Sequence, residues 1–350
     1  MKPDILSLLR PHIKDIKPYA SARSEFSGEA SVWLDANENP YGSVIPDNLN
    51  RYPDPLQLKL KERLSAIKNV PVENIFLGNG SDEPIDLLIR AFCEPGKDKA
   101  VILPPTYGMY ETSASINNVE LIQVRQKPGF QPDVDAIREK IDHSCKILFI
   151  CNPNNPTGNL IPASTIHTLA ALFPGVVVID EAYIDFTSEP SWSQKLAEYP
   201  NIVVLQTLSK AWGMANIRLG MAFAHAKLID ILNKIKAPYN INGLTQRAAL
   251  EALENRHRME EYVKEIVSQR EALVPRLMAF SFVKHIYPSD SNFLLVEVTD
   301  ANDLYQYLSA KGIIVRNRAK EIMCENCLRI TVGNKDENQK LISAFKEYFC

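Results

Sequence analysis

The sequence predicts an α/β protein in which a three-layer domain, built on a mostly parallel sheet, is followed by a smaller α+β domain. Short and nearly continuous apolar runs alternate with amphipathic segments of helical spacing through most of the chain. Parallel strands covered on both faces have this apolar pattern, and the helices between them are the crossovers that such strands require. The predicted strands are residues 75–77, 100–103, 121–124, 146–150, 176–179, 202–205 and 221–224, and the clearest helices are residues 56–67, 85–92 and 163–173.

The pattern changes after Gly243. Residues 244–280 have the spacing of a long amphipathic helical region, and the runs 291–298 and 327–332 alternate apolar with polar residues. Such alternation is typical of half-exposed strands. We therefore predict three parts, which are an N-terminal arm with part of the small domain (residues 1–45), a large domain (46–244) and a small C-terminal domain (245–350).

Composition excludes several classes of function. The 350 residues carry a net charge of −3, which gives no general affinity for nucleic acid or for an acidic membrane surface. No run approaches the ~18 apolar residues of a membrane span, and the N-terminus lacks the pattern of a signal peptide. The six cysteines show no disulfide-framework spacing, and Cys324-x-x-Cys327 lacks the second ligand pair of a metal site. We expect a cytoplasmic protein without a metal.

One lysine stands at the most informative position in the chain. Lys210 follows the apolar run 202–205, with Ser209 before it and Arg218 eight residues later. A lysine at this position can form a Schiff base with an aldehyde cofactor, while the serine and the arginine hold the phosphate of that cofactor. A Ser-Lys pair at a helix start without any chemical role is the competing interpretation.

Other polar residues at strand ends match what pyridoxal phosphate requires. Asp180 ends a buried strand, where a carboxylate needs a cationic partner such as a pyridinium nitrogen. Asn155 and Tyr183 can donate to the phenolate oxygen of the cofactor, and Tyr107 can stack on its ring. The turn at residues 78–84 opens a helix after a strand, so its free N–H groups favour an anion. The candidates for the phosphate are Gly80, Ser81, Asp82, Thr207, Ser209 and Arg218.

Each of these residues also has an ordinary structural interpretation. Asp180 can cap a helix and Asn155 can serve a turn, while Tyr107 and Tyr183 can lie at the edge of a core. The functional interpretation depends on all of them occurring together at strand ends, where open α/β sheets bind ligands.

The chain resembles the fold-type I pyridoxal-phosphate aminotransferases, and within them the histidinol-phosphate aminotransferase group. Two departures from the pattern of that group lie beside the expected site, since Trp212 replaces the usual Phe and Asn216 replaces a frequent Gly. The matching stretches occur in the order of the family: LDANENPYG (34–42), RYPDP (51–55), GNGSDE (78–83), PPTYGMY (104–110), NPNNPTG (152–158), VVIDEAYIDF (177–186), TLSKAWGMANIRLG (207–220) and LRITVG (328–333).

The resemblance implies a role for each matching residue. Lys210, Asp180 and Tyr183 would be catalytic, and the residues named above would bind the cofactor. Tyr52 would reach the cofactor phosphate from the neighbouring subunit, which implies a homodimer. The residues implied at the anionic end of the substrate are Tyr19, Asn155, Arg316 and Arg329.

The implied reaction is a reversible amino transfer between L-histidinol phosphate and 2-oxoglutarate, as part of histidine biosynthesis. An aromatic amino-acid aminotransferase and a threonine-phosphate decarboxylase remain open as related readings of the same cofactor site. A cofactor-binding regulator is disfavoured, because no DNA-binding helical module precedes the domain.

Overall fold

A computed structural model describes residues 5–17, 19 and 30–349 and contains two β-sheets. The strands are β1 (Ile75–Asn79), β2 (Lys99–Ile102), β3 (Glu120–Gln123), β4 (Cys145–Cys151), β5 (Val176–Asp180), β6 (Ile202–Thr207), β7 (Leu219–Ala224), β8 (Val283–Ile286), β9 (Phe293–Val298), β10 (Arg316–Asn317) and β11 (Cys327–Thr331). The α-helices are α1 (Ile5–Leu8), α2 (Pro11–Asp15), α3 (Leu58–Lys68), α4 (Asp82–Phe92), α5 (Met109–Ile116), α6 (Val134–Lys140), α7 (Ala163–Leu172), α8 (Ala226–Ile235), α9 (Gly243–Glu254), α10 (Arg256–Met278), α11 (Ala301–Ala310) and α12 (Lys335–Phe349).

The large sheet has seven strands in the order β1-β7-β6-β5-β4-β2-β3. Strand β7 is antiparallel to both of its neighbours, and the other strands run in a common direction. The carboxyl ends of the parallel strands therefore meet at one edge, which is where a ligand site is expected. The predicted mostly parallel sheet is confirmed.

Both faces of this sheet are buried, and this explains the continuous apolar runs. Along β5 the side chains of Val177 and Ile179 belong to one hydrophobic core, while Val176 and Val178 belong to another on the opposite face. Successive side chains of a strand point to opposite faces, so two covered faces leave no position for a polar residue. Helices α4 and α8 pack on the second face, since Leu88 and Leu232 lie in its core.

The small sheet has the order β10-β11-β9-β8, with antiparallel pairing throughout. Here one prediction is wrong, because β9 is not half exposed and only Glu297 among its six residues is more than marginally accessible. One face of β9 packs on helices α10–α12, and the other lies against the large domain. Phe293 enters the core of the large sheet, and Leu295 packs with Phe130. Cover on both faces removes the exposed face that the alternating pattern indicated.

The predicted helices are present, with ends shifted by at most three residues. The region 244–280 divides at Asn255 into α9 and α10, and α9 runs across the predicted domain boundary at 244/245. Ala249 and Leu253 of α9 belong to the core of the large sheet, although α9 lies mostly on the small-domain side of that boundary. The position of the boundary stays a prediction. Among the described residues, no helix is long and apolar enough to cross a bilayer.

Candidate active site

Lys210 lies just beyond the carboxyl end of β6, at the edge where the parallel strands end. Its side chain is accessible, and its Nζ lies 5.6 Å from the centre of the Tyr183 ring. Partial desolvation lowers the pKa of the Lys210 amine, and the nearby Arg329 guanidinium lowers it further. A lysine with a lowered pKa has a larger neutral fraction, so it is a better nucleophile and base at neutral pH.

Asp180 is the last residue of β5, and only 3% of it is exposed. Its Oδ2 accepts a 2.7 Å hydrogen bond from the Tyr110 hydroxyl, and its Oδ1 accepts one of 3.1 Å from the Ala182 N–H. Burial raises the pKa of the Asp180 carboxyl, and the bond from Tyr110 acts against that shift. No lysine or arginine of the described chain forms an ion pair with Asp180, so the site suits a ligand that brings a positive charge.

Three segments join to form an anion cradle at the N-terminus of α4. Gly80 has φ +70°, and its N–H donates 2.7 Å to the carbonyl of Arg218. The Arg218 Nη2 lies 3.3 Å from Asp82 Oδ2, and a Cβ on Gly80 would lie only 2.6 Å from that same Nη2. The third segment is the start of the lysine loop, where the Thr207 Oγ1 lies 2.9 Å from Ser209 Oγ. The cradle thus combines a guanidinium, hydroxyls and the free N–H groups of a helix terminus, a donor set suited to phosphate.

The aromatic residues predicted at the site lie beside this cradle. The Tyr107 hydroxyl donates 3.1 Å to Asp82 Oδ1, and its ring meets the Tyr110 ring edge-on with centroids 5.6 Å apart. Tyr183 is buried and packs edge-on against Phe293, with ring centroids 5.2 Å apart. Ser81 donates 3.3 Å to the carbonyl of Gln206, which connects α4 to the end of β6.

The small domain contributes Arg329 to the same edge. Its Nη1 donates 2.5 Å to Asn155 Oδ1, and its guanidinium carbon lies 5.2 Å from the centre of the Phe293 ring. This bond occupies the oxygen of the Asn155 amide and leaves the amide N–H groups as donors. Arg316 is exposed and lies directly opposite Arg329 in the β10–β11 pair.

Two predicted residues are not brought together with the others in this chain. Tyr52 stacks its ring on Tyr239 with centroids 4.5 Å apart, and 51% of it is exposed. Tyr19 is 75% exposed, and the adjoining residues 18 and 20–29 of the predicted arm lie outside the described residues.

Tyr110 is a residue of the site that the sequence did not reveal. It is fully buried, and its ring is stacked on Phe149 with centroids 4.5 Å apart. The sequence shows a second tyrosine in PPTYGMY and nothing that marks its hydroxyl as a donor to Asp180.

The cysteines of the CxxC motif are buried beside Phe130, and burial raises the pKa of both Cys324 and Cys327.

The site lies at the edge of an open α/β sheet and combines a buried carboxylate, an activated lysine and a phosphate cradle. This arrangement is typical of enzymes that bind a phosphorylated aldehyde cofactor through a lysine. Residues 26–345 match the family model "Aminotransferase class I and II". The chain belongs to this aminotransferase family.

Individual relatives are similar to this chain over nearly its whole length. A histidinol-phosphate aminotransferase of Cytophaga hutchinsonii is 54% identical over 342 residues, covering 98% of each chain. One of Parabacteroides distasonis is 52% identical over 343 residues, again covering 98% of each. The crystal structure of the histidinol-phosphate aminotransferase from Clostridium acetobutylicum superposes with a TM-score of 0.78 at 26% identity, covering 86% of this chain and 91% of that one.

Proposed function

We propose that this chain is a pyridoxal-phosphate-dependent histidinol-phosphate aminotransferase. It transfers an amino group reversibly between L-histidinol phosphate and 2-oxoglutarate, giving imidazole acetol phosphate and glutamate. The observation that carries the proposal is the position of Arg329, which donates to Asn155 and, after desolvation, is the next cause of the lowered pKa of Lys210. This position near the amine supports a role for Arg329 in binding the substrate anion, while the cradle at the N-terminus of α4 would bind the cofactor phosphate.

The residues at the sheet edge fit the cofactor. When bound, pyridoxal 5′-phosphate supplies an aldehyde that condenses with amines and a ring that accepts electrons from the substrate carbon. Asp180 holds a proton on the ring nitrogen, the role for which its buried and unpaired carboxylate is suited. Asn155 and Tyr183 would donate to the phenolate oxygen, and Tyr107 would stack on the ring. The phosphate is held by Gly80, Ser81, Asp82, Thr207, Ser209 and Arg218.

Lys210 moves the proton that the reaction requires. With the cofactor bound, its free amine would take the proton from the substrate carbon that carries the amino group, and would return that proton to the cofactor carbon that receives the amino group. The lowered pKa keeps more of the amine neutral at pH 7, which is the form that accepts a proton.

Arg329 binds the two substrates in turn. The phosphate of histidinol phosphate and a carboxylate of glutamate both present two oxygens to the guanidinium fork. Phe293 and Asn155 hold the guanidinium in place, so the same geometry serves both half-reactions. Arg316, opposite Arg329, would add a second positive charge for the phosphate dianion. We assign Tyr19, which is 75% exposed in this chain, to the same end of the site.

The proposed assembly is a homodimer with shared sites, located in the cytoplasm. Tyr52 is half exposed and does not complete the site of its own chain, which supports a role in the site of the partner. The segment around it exposes large apolar side chains, as an interface does. The most exposed are Val32, Leu34, Tyr41, Val44 and Ile45. The five cysteines of the described residues are free thiols, which suits a reducing compartment.

The decisive assay supplies histidinol phosphate and 2-oxoglutarate and measures glutamate. We expect rapid glutamate formation, a much slower reaction with phenylalanine as amino donor, and no turnover by a Lys210→Ala variant. Faster turnover of phenylalanine would favour an aromatic amino-acid aminotransferase. Release of CO2 from a phosphorylated amino acid would favour a decarboxylase.

A further inference from the structure

A third arginine, Arg318, lies next to the two arginines already placed at the substrate end. The N–H of Arg318 donates 2.9 Å to the carbonyl of Cys327, which continues the β10–β11 ladder beyond the Arg316–Arg329 pair. Arg318 follows Arg316 by two residues, so both side chains leave the same face of the sheet. Arg318 is diagonal to Arg329, a distance that long side chains can span.

This face of the small sheet is the one that meets the large domain. Arg329 points from this face to Asn155. Leu295, the residue of β9 that pairs with Arg329, packs on Phe130. The side chain of Arg318 is 18% exposed, so it is largely enclosed in this contact region.

Glu321 holds the Arg318 guanidinium by one nitrogen only. The Nη1 of Arg318 donates to Glu321 Oε1 within the same loop. The Nε of Arg318 is buried and has no hydrogen-bond partner among the residues that the structure describes. An unsatisfied buried donor on a guanidinium costs free energy, and an anion placed at that edge would remove the cost.

The positive charges of Arg316, Arg318 and Arg329 also favour binding of an anion in this region. Desolvation is the main cause that lowers the pKa of Arg329, and the nearby Tyr183 hydroxyl opposes it. Arg318 and Arg316 each lower this pKa further, whereas Glu321 raises it. Arg318 also acts on the buried Tyr183 hydroxyl, whose pKa it lowers against the effect of burial. Adjacent guanidinium groups repel one another, so this arrangement is stabilised when an anion lies between them.

We propose that Arg318 is a specificity residue that binds the phosphate of the amino donor through its Nε edge, with Glu321 as the positioning residue. This inference rests on the proposed function and deepens it. Arg329 alone accepts a carboxylate, whereas a phosphate has a third oxygen and nearly a second charge, and Arg318 supplies the donor for them. Arg318 therefore contributes to the phosphorylated substrate and little to glutamate.

The test compares Arg318→Gln, Arg318→Lys and the wild-type holoenzyme in the two half-reactions separately. Each half-reaction is followed as a single turnover by cofactor absorbance, with histidinol phosphate or glutamate as the donor. For Arg318→Gln we expect the saturation constant for histidinol phosphate to rise about tenfold to a hundredfold, the loss of one charge-assisted bond, while that for glutamate changes less than about threefold. Arg318→Lys keeps the charge without the fork and should recover part of the loss.

Binding without turnover gives an independent reading. Calorimetry with inorganic phosphate should show binding to the wild-type holoenzyme and weaker binding to Arg318→Gln. Arg256→Gln, which removes an exposed arginine paired with Glu260 on α10, is the matched control and should leave phosphate affinity unchanged. The thermal midpoints of all variants are measured to detect loss of structure.

Three results would overturn the inference: equal losses in both half-reactions, an unchanged phosphate affinity in Arg318→Gln, or a fall in thermal midpoint that accounts for the loss. A wild-type enzyme that does not prefer histidinol phosphate to phenylalanine would instead refute the proposed function, and the role of Arg318 with it.

Discussion

Asp180 depends on the hydroxyl of a buried tyrosine, Tyr110, that the sequence did not single out. A carboxylate in a site this dry is driven toward its neutral form, because burial raises its pKa. The Tyr110 hydroxyl opposes this by donating to Oδ2, and the stacked Phe149 ring fixes where that hydroxyl lies. Tyr110 thus favours the charged form of Asp180 and fixes the orientation of its carboxylate.

Tyr110→Phe removes this donor without opening a cavity. We expect the pKa of Asp180 to rise further, the affinity for pyridoxal phosphate to fall about tenfold to a hundredfold, and activity at saturating cofactor to fall as well. Equilibrium dialysis of the cofactor and a pH titration of the holoenzyme absorbance measure the two effects. Unchanged affinity together with an unchanged titration would mean that Tyr110 serves packing alone.

At the residue scale, the sequence identified side chains that stand at strand ends and missed those that act from behind them. Lys210 and Asp180 were visible because each follows an apolar run that predicts a buried strand. Tyr110 lies inside α5 and is buried like any core aromatic, so its partner appears only once α5 packs against the sheet. Arg318 was missed for a similar reason, since its position depends on the register of β10 with β11.

At the element scale, the phosphate cradle depends on how closely β7 passes the turn between β1 and α4. Gly220 of β7 lies opposite both Thr207 and Gly78. A Cβ on Gly220 would lie 2.3 Å from the carbonyl carbon of Gly80 and 2.4 Å from the Ser81 nitrogen, and backbone atoms cannot move aside as a side-chain end can. The absent side chain lets the turn approach the sheet.

Gly220→Ala should therefore displace the 78–81 turn. We expect a loss of about 1–3 kcal/mol of stability from overpacking, and a decrease in cofactor affinity of about tenfold or more. Thermal unfolding and cofactor titration measure these separately. Gly243→Ala is the control, because a Cβ there would meet only the Pro53 side chain at 3.9 Å. Wild-type cofactor affinity in Gly220→Ala would show that the turn tolerates the displacement.

Strand composition predicted the large sheet better than the small one. Continuous apolar runs mark strands covered on both faces, whereas nothing in the run 221–224 shows that β7 is antiparallel to its neighbours. In β9 the alternating pattern was misleading, because the polar residues Ser291 and Asn292 of the run precede the strand. The two domains together bury both faces of the strand.

At the scale of the whole molecule, the small domain is part of the site. Phe293 lies in the core of the large sheet, and Arg329 reaches Asn155. The Asp290 N–H also donates 2.7 Å to the carbonyl of Gly158, where a Cβ would lie 2.4 Å from Ser289 Oγ. These contacts hold the substrate end of the site against the cofactor end.

The proposed dimer predicts complementation between two defective chains. Lys210→Ala removes the reactive amine, and Tyr52→Ala removes a hydroxyl expected to reach the cofactor phosphate in the partner, so each homodimer should be inactive or weak at limiting cofactor. In a hybrid, one site combines Lys210 from one chain with Tyr52 from the other and is intact.

Random exchange of equal amounts makes half of the dimers hybrids, so about a quarter of the wild-type activity should return. Mixing Lys210→Ala with Tyr107→Ala is the matched control, because both residues belong to the same chain's site and no hybrid site is intact. The mixtures are unfolded, refolded together and assayed with histidinol phosphate at limiting cofactor, with sedimentation to confirm the dimer. Equal activity in the two mixtures, or full activity in a monomer, would contradict a site shared through Tyr52. Recovery only in the first mixture would place the exposed Tyr52 in the site of its partner, where the single chain leaves it 51% exposed.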